Sequence, residues 1–173
     1  MTMAACSGQS DASEISLEKM HGFPTENTGF LKGVSALYAG VIDGNLLIAG
    51  GCNFPDTPAA DGGKKVFYPD VYITSLSNDT AFEWKKIGQL PQAAAYGVTI
   101  STEKGLICVG GTTATHSLSD VFLLSLQKDT LKRETLPSLP VTMDNMAGAL
   151  VGHSLYICRW KCKWHSILGH VHA

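Results

Sequence analysis

Two segments of this chain run from a short apolar strand into a pair of glycines. The first is Gly44-Asn45-Leu46-Leu47-Ile48-Ala49-Gly50-Gly51 and the second is Gly105-Leu106-Ile107-Cys108-Val109-Gly110-Gly111. A third segment, Gly152-His153-Ser154-Leu155-Tyr156-Ile157-Cys158, starts the same way and continues as Arg159-Trp160. Paired glycines at a strand end permit positive φ and let another backbone come close. Their recurrence marks one structural unit used repeatedly, which restricts the fold more than any local propensity does.

Aligning the glycine pairs aligns their surroundings. A small-residue strand precedes each hairpin: Val34–Ile42, Ala94–Ile100 and Asn145–Val151. Turns follow at Asp43-Gly44-Asn45, Glu103-Lys104-Gly105 and Gly152-His153-Ser154, the first a strong hairpin signal. Beyond each glycine pair come a variable loop and a third strand, Pro69–Leu76 or Ser119–Leu126, sharing Asp-Val-aromatic-aliphatic-x-Ser-Leu. A fourth strand then leads into Leu-Pro, from Phe82–Ile87 to Leu90-Pro91 and from Leu131–Thr135 to Leu136-Pro137 or Leu139-Pro140.

Four short strands per unit at a period near fifty residues is the pattern of a kelch-type β-propeller blade. The fold class is therefore all-β: two full four-stranded blades plus part of a third. An ordinary β-sandwich is the competing fold, and three aligned units argue against it. A propeller closes with about four to eight blades, so the open blade faces and edges call for further blades. The expected organisation is a lead-in or tether over 1–30, a partial propeller over 31–158 and an aberrant tail over 159–173.

The net charge of −2 gives no field for nucleic acid or an anionic membrane surface. No apolar run reaches the roughly 18 residues that span a bilayer. Met3-Ala4-Ala5-Cys6-Ser7 has the small-residue-then-cysteine form of a bacterial lipoprotein processing site, without the charged and apolar regions of a full signal. Cys6 is thus a candidate lipid attachment point if the start lies upstream. That would make the product a periplasmic or outer-membrane lipoprotein.

Five cysteines are not a disulfide framework. Cys108 and Cys158 lie in apolar strand runs and are expected to be buried small hydrophobes. Cys158, Cys162, His165 and His170 have spacing C-x3-C-x2-H-x4-H, which fits none of the usual zinc patterns, so no metal site is assigned. The genetic code offers another account of the tail. Tryptophan has the single codon TGG, so loss of one base at codon 159 makes each tryptophan donate GG to its successor. Trp160 before Lys161 and Trp164 before His165 then both become glycine. The shifted frame permits glycine at 159 and 160 and Ser-Asp at 168–169, the register of Ser119-Asp120 after Gly110-Gly111. The expectation is a single-base slip after Cys158, and the DNA sequence tests it.

The stretch Gly33–Cys158 resembles the sialic-acid mutarotases, the N-acetylneuraminate epimerase family, and in particular their cyclically permuted members. The resemblance rests on Ala39-Gly40-x-Ile42 leading to Leu47–Gly51, and on the long insertion Cys52–Pro69 with Lys64-Lys65 before Tyr68. Ala95-Tyr96-Gly97-Val98 and Gly110-Gly111-Thr112-Thr113 up to Asp120 add to it. It implies a six-bladed propeller that interconverts the α and β anomers of N-acetylneuraminic acid without a cofactor, in the periplasm. The family's acidic catalytic residue and its arginine partner belong to a blade with no counterpart here, so no catalytic residue is assigned and the chain alone is expected to be inactive.

Candidate substrate contacts remain. Lys64 and Lys65 could meet an anionic sugar or merely solvate a loop. Asn53 follows a glycine pair and Tyr96 precedes an inner-strand glycine. Each could line the central mouth or serve in capping and packing. Asn145 is a weaker candidate of the same kind. Glu83, Glu103 and Glu134 read as solvated charges. The alternative function is a non-enzymatic kelch module that binds a glycan or protein through its blade-top loops. Oligomeric state is not legible.

Overall fold

The structure is a computed structural model describing residues 22–24, 26–77, 82–128 and 130–159. It opens with α1 (Thr28–Leu31), then β1 (Tyr38–Ile42) and β2 (Asn45–Ala49), β3 (Cys52–Asn53) and β4 (Val66–Phe67), β5 (Asp70–Ser75) and β6 (Lys85–Gln89). There follow β7 (Val98–Thr102), β8 (Gly105–Val109), β9 (Val121–Gln127), β10 (Thr130–Leu136), β11 (Met146–Val151) and β12 (Ser154–Arg159). Two sheets have four antiparallel strands each, ordered β1-β2-β5-β6 and β7-β8-β9-β10. The third repeat supplies the pair β11-β12, and β3-β4 forms a small ribbon within the insertion. Among the described residues no helix is long and apolar enough to cross a membrane.

The first strands of successive units are neighbours, β1 beside β7 and β7 beside β11. The sheets therefore fan outward from their inner strands, as blades do. Several strand limits differ from the sequence reading, and two of the differences have local reasons. The first inner strand starts at Tyr38 because Ala36 stands at φ 56°, outside the extended region. The fourth strand begins late, at Lys85, and its pairing slips by one residue at a bulge between Val71 and Tyr72.

Apolar side chains pack between blades. Tyr38, Leu47, Ala49 and Val71 of the first blade meet Leu106, Cys108, Phe122 and Leu124 of the second. The other face of the second blade, with Val98, Ile107, Val109 and Val121, meets Leu155 and Ile157 of the third unit. Because β8 is covered on both faces, all five of its residues are buried. Its Cys108 is buried as expected. Cys158 is exposed instead, which corrects the sequence reading. The strand alternates: Leu155 and Ile157 face the second blade, and Tyr156 and Cys158 take the opposite side.

Described residues within the expected lead-in pack against the first blade. Phe30 is fully buried against Ile48, Tyr68 and Tyr72, and the Phe23 ring stacks on it at 5.3 Å. Asn27 caps α1 through Gly29 and Phe30 N–H, and its amide donates to Asp70 at 3.2 Å. Phe30, Leu90 and Leu139 stand four residues before the equivalent positions 34, 94 and 143, and each packs into a blade-facing cluster. The described residues between Phe23 and Leu31 thus belong to the packed body. Residues 1–21, with Cys6, lie outside the described residues, as do Cys162, His165, His170 and the tail from Trp160 onward.

The glycine pairs sit where blades touch. Gly50 donates to Asp70 O of its own blade at 3.0 Å, and Gly51 to Ala94 O of the linker to the next at 2.8 Å. Gly110 and Gly111 repeat this with Asp120 O and Met143 O, both at 2.8 Å. All four have positive φ. A Cβ on Gly50 would stand 2.4 Å from Ala94 O, and one on Gly110 2.5 Å from Met143 O. The pairings Tyr38↔Ala49, Val98↔Val109 and Ala147↔Cys158 put Arg159 at the position of Gly50 and Gly110.

Candidate functional site

In each blade the two tight turns lie at one end. The connections from second to third strand, and from fourth strand to the next blade, lie at the other. Asn53, Lys64 and Lys65 (β2 to β5), Tyr96 (β6 to β7) and Asn145 (β10 to β11) all fall on this second end. The sequence-derived candidates thus share one loop face, although they do not form one cluster.

A backbone ladder fixes Tyr96 and Asn145. Ala36, Tyr96 and Asn145 occupy the same place in three units, two residues before the inner-strand pairing, with φ 56°, 63° and 50°. Left-handed backbone is uncommon outside glycine and is retained where the surroundings over-determine it. Here Tyr96 N–H donates to Ala36 O at 2.8 Å and Asn145 N–H to Tyr96 O at 2.9 Å. The strained residues therefore hand one hydrogen bond from blade to blade.

Lys65 and Tyr96 come together. The Lys65 ammonium donates to the Tyr96 hydroxyl at 2.8 Å and lies 4.9 Å from the Tyr96 ring centroid and 5.5 Å from that of Phe54. The hydrogen bond to Tyr96 is the main cause that holds the Lys65 amine above the usual lysine range, and it outweighs desolvation, which acts the other way. Among the described residues no carboxylate forms an ion pair with Lys65. The result is a solvent-facing cation oriented by two aromatic rings. Lys64 next to it is simply exposed.

Asn53 is engaged internally. Its amide donates to Gly29 O at 2.7 Å and Gly33 O at 2.8 Å, and its oxygen accepts from the Tyr68 hydroxyl at 2.8 Å. It ties the insertion to the segment after α1. The Asn145 amide donates to Asp144 at 2.9 Å, and Asp144 also accepts from Ser117 and from Arg159 at 3.3 Å. Glu83, Glu103 and Glu134 are exposed and lie in three separate places: before β6, in the β7–β8 turn and on β10.

Sequence reasoning passed over Phe54, the second ring beside Lys65. An aromatic residue directly after Asn53, in an insertion that also carries lysines, is a signal that could have been read. It also passed over Asp70. This buried carboxylate pairs with Lys86 at 2.8 Å and accepts from Gln89 at 2.9 Å and Asn27. Burial alone would raise its pKa, but the three donors outweigh burial and hold it below the usual carboxylate range. Tyr38 is a third omission. Buried between blades, it donates to Gly110 O at 2.5 Å, and burial pushes its phenol above the usual tyrosine range.

The fan of four-stranded antiparallel blades is a kelch-type propeller arrangement, which the solved structure of YjhT shares. YjhT superposes with a TM-score of 0.51 at 27% identity, over 59% of this chain and 31% of that one. The N-acetylneuraminate epimerase family model matches residues 1–132, and the chain belongs to that family. It is 34% identical over 111 residues to N-acetylneuraminate epimerase 1 of Escherichia coli O6:H1, covering 58% of this chain and 28% of that protein. It is 38% identical over 84 residues to N-acetylneuraminate epimerase of Brucella suis, covering 46% and 22%. The chain spans less than a third of each of these relatives.

Proposed function

We propose that this loop face is part of the substrate surface of a sialic-acid mutarotase, which interconverts the anomers of N-acetylneuraminic acid. The reaction opens a cyclic hemiketal and recloses it. A base takes the proton of the anomeric hydroxyl, the bond from the anomeric carbon to the ring oxygen breaks, and an acid protonates that oxygen. Reclosure on the other carbonyl face gives the second anomer. No redox change occurs, so the chemistry requires no electron-carrying cofactor.

The observation that carries this reading is Lys65, a cation positioned by the Tyr96 hydroxyl and by two rings, without a carboxylate partner among the described residues. Such a group suits the carboxylate of a sugar acid. No described residue is assigned proton transfer, so the chain binds the sugar acid without accelerating its exchange. The same reading puts the protein in the periplasm, with Cys6 as a candidate lipid attachment point. The non-enzymatic module remains the competing reading, and it predicts spontaneous-rate exchange even when the remaining blades are supplied.

The test is a titration of the chain with N-acetylneuraminate, followed by amide shifts at Lys65 and Tyr96 and by NMR exchange between the two anomers. Lys65→Met should weaken binding about three- to tenfold, a range discounted for solvent exposure, and Lys65→Arg should largely retain it. Binding unchanged in Lys65→Met refutes the assignment of the carboxylate site. Exchange faster than spontaneous refutes the claim that this chain lacks the proton-transfer groups.

A further inference from the structure

An open groove of about 330 Å³ lies on the loop face where the first two blades meet. Phe67 of β4 forms one wall, and Gln92 and Ala93 come from the linker between β6 and β7. Thr113, Ala114, Thr115 and His116 come from the β8–β9 loop. The groove exists only because two blades are adjacent, since each supplies one side. Its volume falls in the range of small-molecule sites.

The walls are held in place. Thr112 bridges to Ala95 and to Ser117, which fastens the β8–β9 loop over the interblade linker. Thr113 N–H donates to His116 O at 2.9 Å, and the Thr112 hydroxyl donates to the same carbonyl at 2.9 Å. The Thr113 hydroxyl accepts from Thr115 and His116 N–H, both at 3.2 Å. His116 Nδ1 lies 3.1 Å from the Thr113 hydroxyl and 3.0 Å from that of Thr115. These contacts fix the ring through Nδ1 and fix the turn around it. The Gln92 amide is oriented by Asp120 at 3.3 Å.

The lining chemistry selects a ligand class. Among the described residues no Asp, Glu, Lys or Arg lines the groove, so a formal charge on a ligand finds no counter-charge from them. What lines it is one aromatic ring, two alanine methyls, two hydroxyls, an amide and an imidazole. A pyranose has an apolar C–H face for a ring such as Phe67 and a rim of hydroxyls that match donors and acceptors of this kind. We propose that the groove between Phe67 and Thr113–His116 binds an uncharged pyranose, at a place of its own apart from Lys65. This inference does not rest on the mutarotase reading.

The experiment is a ¹H–¹⁵N titration of the full chain with two neutral probes, N-acetylmannosamine and methyl mannopyranoside, and with N-acetylneuraminate as the charged comparison. The expected result is saturable shifts at Phe67, Ala93 and Thr113–His116 with at least one neutral probe. Phe67→Leu, which keeps an apolar residue at this strand position, should weaken that binding about three- to tenfold. Thr115→Val should also weaken it, with the amides of β9 unshifted in both variants as the control for folding. Two results overturn the proposal: no saturable shift with either neutral probe, or neutral-probe binding that both variants leave unchanged. Shifts confined to Lys64–Lys65 and Tyr96, seen only with N-acetylneuraminate, overturn it while leaving the proposed function intact.

Discussion

Replacing Gly111 by alanine tests whether the glycine pairs serve backbone conformation alone or close approach between blades. Gly44 is the control, because its φ of +73° also lies in the left-handed region but a Cβ there meets nothing within 4 Å. Gly44→Ala carries a conformational cost of about 1–2 kcal/mol. The reduced freedom of the unfolded chain offsets about 0.4–1 kcal/mol of it, so the net loss is about 1 kcal/mol. Gly111 stands at φ +105°, where a Cβ would lie 2.4 Å from the Tyr38 hydroxyl and 2.8 Å from Ala95 O. This φ is outside the left-handed basin and costs about 2–3 kcal/mol. Displacing the Tyr38 hydroxyl breaks its bond to Gly110 O and leaves that carbonyl unpaired by it, for about 1–1.5 kcal/mol more. After the same unfolded-state offset, Gly111→Ala should destabilise by about 2–4 kcal/mol. Urea unfolding of the two variants, compared at constant slope, measures the difference. Losses that agree within about 0.5 kcal/mol would refute the close-approach argument and leave backbone conformation as the whole reason for the glycines.

The Asp70 cluster predicts a pH dependence. Its folded pKa is depressed, so its contribution is present above the unfolded carboxylate pKa and is lost as pH falls through the lower folded value. Asp70→Asn should cost about 1–3 kcal/mol at neutral pH, and the gap should close below about pH 4 in denaturation series run at several pH values. A gap independent of pH would remove the charge from the explanation. Asn53→Ala loses two donated hydrogen bonds and one accepted bond, and thermal unfolding should show a loss of about 1–2 kcal/mol. The folded variant should keep its affinity for N-acetylneuraminate. A selective loss of affinity with unchanged stability would make Asn53 a contact residue instead of a brace.

How much was legible varies by element. Leu46–Gly51 and Leu106–Gly111 could be read because the same residues recur in one order, and recurrence reports a shared structural unit without any knowledge of its contacts. Hairpins such as Asp43-Gly44 were legible for a local reason: the turn chemistry acts on adjacent residues. Phe30 was not legible, since a lone aromatic in a polar stretch shows nothing of the Tyr68 and Tyr72 rings that bury it. Cys158 misled because alternation along β12 gives its neighbours to the second blade and turns it the other way.

The candidate site divides along the same line. Sequence named Lys64, Lys65, Tyr96, Asn53 and Asn145 from their places beside the glycine pairs and in the insertion, and strand order alone puts all five on one loop face. Their different roles come from contacts between residues distant in the chain. Lys65 meets Tyr96 across 31 positions, and Asn53 meets Gly29 across 24. A repeat determines which strands exist and in what order, because its signal is local and is written several times. It does not determine which side chain of one blade meets which of the next. Those pairings depend on how the blades pack, and only the tertiary structure decides that.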